Sequence, residues 1–188
     1  AVGAIEYRRP SRAMPKVLPK LTADTRSVSD LVGLVTSGRV RVPVYQRSLQ
    51  WDASDVIALF DSIYRGFPVG SLLLHHRSAA PATTLEFGPL TIHAPEASSA
   101  YDVVDGQQRL ISLAVSLARP EPIPTRPASD DPFVVYFDAQ EETFQPPPKQ
   151  GELPTHWVPL PALLDGAQLS EWVHGWAHSG DKALRSRV

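Results

Sequence analysis

Apolar side chains recur along this chain at two spacings, and the switches between them predict its elements. Val28, Leu31, Val32 and Val35 share one face of a short helix over 27–37, which Ser27 can cap and Gly38 can end. Arg39 to Tyr45 alternates charged and apolar residues, the period of a strand running into an exposed turn. Residues 54–65 give the clearest helix, with Asp52 as cap, Asp55 in the first turn and Val56, Leu59, Phe60 and Ile63 in one stripe. Gly66 and Pro68 stop it. Val69 to Leu74 is a short apolar run between turn residues and predicts a buried strand. Residues 77–99 predict a loop with a weak hairpin at Thr84–Phe87 and Leu90–His93.

Tyr101 to Val104 predicts another strand, which passes through Asp105-Gly106 directly into a helix from Gln107 to Ala118. Leu110, Leu113, Ala114 and Leu117 form that helix's apolar face. Pro120, Pro122, Pro124 and Pro127 exclude helix from the segment that follows. Phe133 to Phe137 has strong β propensity, Gln145 to Pro148 reads as loop, and Trp157 to Leu160 as an edge strand. Ser170 to Arg187 predicts a last helix. The alternation gives an α+β or mixed α/β domain, and pattern alone does not separate parallel from antiparallel pairing.

Composition adds bounds. The chain has 188 residues, 43% of them hydrophobic, enough for one ordinary core. The expected organisation is a basic extended arm over 1–26, a domain over 27–165, and the start of a helical linker over 166–188 leading to a C-terminal region outside this chain. No run of about 18 apolar residues is present, so no membrane-spanning helix is expected. Ala1 to Ala4 is followed by Glu6, Arg8 and Arg9 and does not read as a signal peptide, and the lack of cysteine makes the cytoplasm the expected location. The absence of cysteine excludes disulfides, thiolate catalysis and cysteine zinc sites. A net charge of −2 argues against a dedicated nucleic-acid coat. Residues 1–50 nonetheless carry nine basic side chains against three acidic ones, which suits either phosphate backbones or a solvated arm.

The candidate chemistry gathers at Asp105 to Arg109. A strand ends, a glycine lets the backbone turn close to a ligand, and a helix begins whose first N–H groups and partial positive charge favour an anion. Arg109 adds a guanidinium suited to phosphate, and Gln107 and Gln108 supply amides. Asp105 can accept from a ribose hydroxyl, orient water or help hold Mg²⁺. The alternative is structural: Asp105 caps the helix and Arg109 pairs with a carboxylate. A second cluster, Tyr45-Gln46-Arg47 with Trp51 behind it, offers another cation and an aromatic face, or else a turn with Trp51 in the core. Among six histidines, His174 and His178 are four residues apart, but no Glu and no third ligand completes a metal site.

Three blocks in order resemble a known family. Val42-Pro43-Val44-Tyr45-Gln46-Arg47-Ser48-Leu49-Gln50-Trp51, the run Ser62-Ile63-Tyr64-Arg65-Gly66-Phe67-Pro68-Val69-Gly70-Ser71-Leu72-Leu73-Leu74, and Tyr101 to Leu110 with its Asp-Gly-Gln-Gln-Arg core look like the N-terminal domain of GmrSD-type modification-dependent restriction proteins. The same domain is similar to that of the SspE- and BrxU-like phage-defence proteins. The resemblance implies a ParB/sulfiredoxin-like fold with a mixed sheet and flanking helices. It also implies NTP hydrolysis, with GTP favoured and Mg²⁺ as companion, sensing of modified DNA such as phosphorothioate, and a C-terminal HNH nuclease domain. No such nuclease motif stands in this chain, which is not expected to cut DNA. Carried over residue by residue, Gly106, Gln107, Gln108 and Arg109 hold phosphates. Arg47, Gln46, Asp105 and Arg109 serve hydrolysis, and Tyr45, Arg47 and Arg41 meet DNA. ParB-like domains usually place two adjacent arginines at the helix start; here Gln108 precedes Arg109, which leaves one cation fewer.

Overall fold

The computed structural model describes residues 22–42, 50–87, 90–119 and 131–178, with side chains as far as Trp176. Helix α1 (Val28–Thr36) opens on a capping box in which Ser27 and Asp30 satisfy each other's backbone N–H groups. It ends where Gly38 turns left-handed. Strand β1 (Val40–Arg41) follows, and α2 (Ala53–Tyr64) starts at a second capping box, Asp52 with Asp55. Strand β2 (Leu73–Ala80) leads into the hairpin β3 (Thr83–Phe87) and β4 (Leu90–Ala94), and β5 (Ala97–Asp105) runs straight to α3 (Gln107–Leu117). Three short strands, β6 (Tyr136–Asp138), β7 (Thr143–Gln145) and β8 (Trp157–Pro159), precede a single 3₁₀ turn at Leu160–Leu163 and the final helix α4 (Gly166–His178).

The fold is α+β with a mixed central sheet. β5 lies in its middle, parallel to β1 through Val40–Tyr101 and Arg41–Asp102, and antiparallel to β2. The β3–β4 hairpin alternates buried Leu85, Phe87, Leu90, Ile92 and Ala94 with exposed residues, so one face meets the core. β6 pairs antiparallel with β7 and β8 on either side in a separate small sheet. α3 is the centre of the molecule: Leu110 through Leu117 are all buried. α1, α2 and the 3₁₀ turn pack against it, so the helix has no solvent face beyond its first turn.

Several boundaries differ from the sequence reading. Val69 to Leu74 is not a buried strand; pairing begins only at Leu73, and β2 then runs to Ala80 with most of its residues exposed. Gly70 is left-handed at φ 80°, which takes the preceding backbone out of the extended conformation a strand needs. Residues 77–80 and 97–99, expected as loop, belong to the long β2–β5 pairing, whereas the hairpin at 83–94 lies where it was expected. Phe133 to Val135 is buried but precedes the ladder, because Asp131 takes the Phe133 and Val134 N–H groups in a turn. β6 therefore starts at Tyr136. α4 starts four residues before Ser170, where Asp165 accepts from the Ala167 and Gln168 N–H groups. Most of the expected basic arm, the proline segment 120–130 and the end of the last helix lie outside the described residues.

Candidate functional site

β5 ends at Asp105, Gly106 turns with φ 85° and ψ 16°, and α3 begins at once. Gly106 is the helix cap and contributes no side-chain hydrogen bond, nor does the first turn hold an acidic residue. The structural alternative, in which Asp105 caps the helix, is therefore not what the chain adopts. The start of α3 keeps the partial positive charge of its N–H groups without a neutralising side-chain cap.

Arg109 covers this tip. Its Nη1 donates to the Val69 carbonyl at 2.7 Å, and its Nη2 stands 3.5 Å from Asp105 Oδ2. The first contact is short and charge-assisted; the second is at the outer limit of a hydrogen bond and is largely solvated, since Asp105 is 71% exposed. The Arg109 side chain keeps 21% of its surface exposed. A guanidinium has five N–H donors. Those two contacts leave others without a protein partner among the described residues. The guanidinium is thus neither free in solvent nor locked inside; it is fixed at the helix start with one edge outward.

Gln108 links two elements. Its Oε1 accepts from the Gln50 backbone N–H at 3.1 Å, which ties the chain just before α2 to the first turn of α3. Gln107 is half-buried at the first helical position. Tyr45, Gln46 and Arg47 lie outside the described residues. Trp51 is half-buried and packs on the core, as its aromatic bulk suggested.

Arg41 has to be removed from the DNA-contact set. It is 4% exposed, and its guanidinium donates to the carbonyls of Gly38, Pro81 and Pro95. A cation enclosed in this way joins β1 to the two ends of the β3–β4 hairpin and has no face for a phosphate backbone. Two residues that the sequence reading passed over belong to the site instead. The Val69 carbonyl holds Arg109, and Gly70 lies so close to the guanidinium that an added Cβ would stand 2.5 Å from Nη1. The available signal is Gly70 two residues after Pro68, a glycine that can turn the chain before β2 begins.

Elsewhere several titratable groups are engaged in contacts within the fold. Asp138 is buried and accepts from the Gln140 and Glu141 N–H groups and from the Trp157 indole. Arg77 pairs with Asp102 at 3.0 Å across β2 and β5. His174 bonds to the Ser170 carbonyl on its own helix. Among the described residues no group of three or more His, Cys, Asp or Glu side chains gathers to hold a metal ion. No described helix is long and apolar enough to cross a membrane.

These observations define a class: an α+β domain in which a part-exposed arginine, Arg109, sits at a glycine-turned junction between strand and helix. The family described as GmrSD restriction endonuclease, N-terminal domain, matches residues 28–157, from α1 into β8, and the chain belongs to it. It is a domain of a restriction system. The chain is also 30% identical over 110 residues to the uncharacterized protein MJ0686 of Methanocaldococcus jannaschii. That match covers 54% of this chain and 18% of the relative, so the chain spans less than a fifth of that protein's length. No solved structure matches the chain.

Proposed function

We propose that the domain binds a nucleoside triphosphate with its phosphates at the start of α3, hydrolyses it, and couples that turnover to recognition of modified DNA. The observation that carries the reading is the pairing of a glycine-started, side-chain-uncapped helix with a guanidinium fixed at its tip. Backbone N–H groups at Gly106, Gln107 and Gln108 supply directed donors, and the Arg109 guanidinium supplies charge. The loose Asp105 contact yields readily to a phosphate oxygen, since an exposed ion pair contributes little. Phosphoryl transfer needs positioning and electrostatic stabilisation more than an activated nucleophile. Asp105 or Gln46 orients the attacking water, and Arg47 neutralises charge developing in the transition state. GTP is the nucleotide favoured by the family resemblance.

Mg²⁺ fits this donor set: one exposed carboxylate, Asp105, stands beside the phosphate position, and Mg²⁺ commonly takes one or two carboxylates with the substrate's own oxygens. When bound, it would supply charge neutralisation across the phosphates. Modified DNA, phosphorothioate or a substituted cytosine, is the proposed second ligand, with Tyr45 and Arg47 as its contacts. Cutting falls to an HNH nuclease domain acting with this one, in the cytoplasm.

The test is Arg109→Ala, assayed by GTP·Mg²⁺ titration and phosphate release with plain and modified duplexes. Loss of charge-assisted contacts worth about 1.5–3 kcal/mol weakens binding by roughly 10- to 100-fold. Wild-type affinity and turnover in the variant would remove the nucleotide site. Equal turnover and binding with modified and plain DNA would remove the sensing half. DNA binding without any hydrolysis would replace the enzyme by a non-catalytic DNA-binding module.

A further inference from the structure

The contact between Arg109 and the loop before β2 has a shape that asks for an explanation. Val69 offers its carbonyl to Nη1 at 2.7 Å, and the next residue, Gly70, is left-handed at φ 80°. A Cβ placed on Gly70 would stand 2.5 Å from Arg109 Nη1 and 3.4 Å from Cζ. At Gly106 an added Cβ would run first into Leu72 Cδ2 and would lie 3.1 Å from Arg109 Nη2, so the severe clash there is with Leu72. The slot that holds the guanidinium is therefore formed by Gly70 and the Val69 carbonyl. A side chain at Gly70 would push Arg109 out of it. Gly66, four residues upstream in the same loop, is also left-handed at φ 71°, but a Cβ there meets nothing within 4 Å. Closeness to Arg109 is thus particular to Gly70 and not a general property of this loop.

We propose that Gly70 and the Val69 carbonyl are positioning residues for Arg109: they hold its guanidinium against the tip of α3 with one edge outward, ready for an anion. The loop over 66–72 is then part of the site through its backbone. The functional consequence rests on the nucleotide reading above, but the positioning itself is read without any ligand.

Phenylglyoxal modification of individual arginines, followed by peptide mass spectrometry on the whole chain, measures it. In the wild type Arg109 reacts more slowly than exposed Arg39. Gly70→Ala, by displacing the guanidinium from a charge-assisted contact, raises the Arg109 rate about tenfold. Gly66→Ala, which carries similar backbone strain without the contact, leaves that rate unchanged. An unchanged Arg109 rate in Gly70→Ala overturns the proposal, as does an equal rise in Gly66→Ala. Should Gly70→Ala fail to fold, Arg109→Ala gives the reciprocal reading: amide exchange over 66–72 accelerates if Arg109 holds the loop, and unchanged exchange overturns the proposal. GTP titration of the two single variants and of the double variant then tests the functional link. Gly70→Ala weakens binding in the wild-type background and adds nothing once Arg109 is Ala. Additive losses mean that Gly70 acts through the general fold, and overturn its role as a positioning residue. If the wild type binds no nucleotide, the proposed function fails while the phenylglyoxal result still decides the positioning.

Discussion

Asp138 shows how one buried carboxylate organises the small sheet. Burial pushes its carboxyl up, but the Glu141 and Gln140 N–H groups, the Trp157 indole and nearby His156 together outweigh burial and hold it below the ordinary carboxylate range. A depressed folded value means that the ionised form stabilises the fold above the unfolded value of about 3.9, and that this contribution is lost as pH falls through the lower folded value. Asp138→Asn should cost about 1–3 kcal/mol at neutral pH. Thermal melts of both proteins between neutral and strongly acidic pH check this. The gap should narrow below the unfolded value, and a gap independent of pH would refute the assignment. Side-chain roles were the least legible part of the sequence. Arg41 looked like an exposed strand charge because its three acceptors come from Gly38, Pro81 and Pro95, two of them some 40 and 54 residues away. Arg109 was placed correctly at the helix start, yet the sequence gives no sign of which carbonyl its guanidinium meets.

At the scale of elements, local signals were read well and partner-dependent ones poorly. α1, α2 and α3 carry their own caps or turns and a period that needs no neighbour to interpret. β2 does not: His75, His76 and Arg77 are exposed on an edge strand, and the strand exists because β5 lies beside it. The beginning of β5, Ala97-Ser98-Ser99-Ala100, is equally featureless and is defined by the same pairing. The cap of α2 has a wider role than its own helix. Asp52 accepts from Ser54 N at 2.8 Å and Asp55 N at 3.1 Å, two residues after the Gln50–Gln108 hydrogen bond that joins the starts of α2 and α3. Asp52→Ala should destabilise the chain by about 1–2 kcal/mol, seen as a lower urea midpoint. A midpoint equal to that of wild type would show that tertiary packing alone fixes this helix start.

For the whole molecule, the question is how α4 belongs. Trp172 donates its indole N–H to the Trp157 carbonyl at 3.1 Å and stacks on Trp176 with ring centroids 5.1 Å apart. Trp172 thus fastens the helix to β8 and reaches back into this domain, with Trp176 stacked on it one turn further on. Trp172→Ala should speed amide exchange throughout α4 while leaving the urea midpoint of the remainder close to wild type. A large common loss of stability would make α4 an integral layer of the fold and not the start of a linker. The fold class, the helices, the family and the place of the junction were visible in the linear pattern, whereas β7, whose Gln145 reads as loop, was not. The Arg109 slot and the inward Arg41 were not, because each is made by backbone atoms brought together only on folding.

The enclosure of α3 sets how this domain can diversify. A helix wrapped on every side tolerates little change in the volume of its body, so Leu110 to Leu117 act as a fixed axle. Variation that retunes what is held at its tip has to arise in the surrounding backbone, above all in the short stretch between α2 and β2. An engineer wishing to alter ligand preference would do best to randomise that stretch and leave the axle alone.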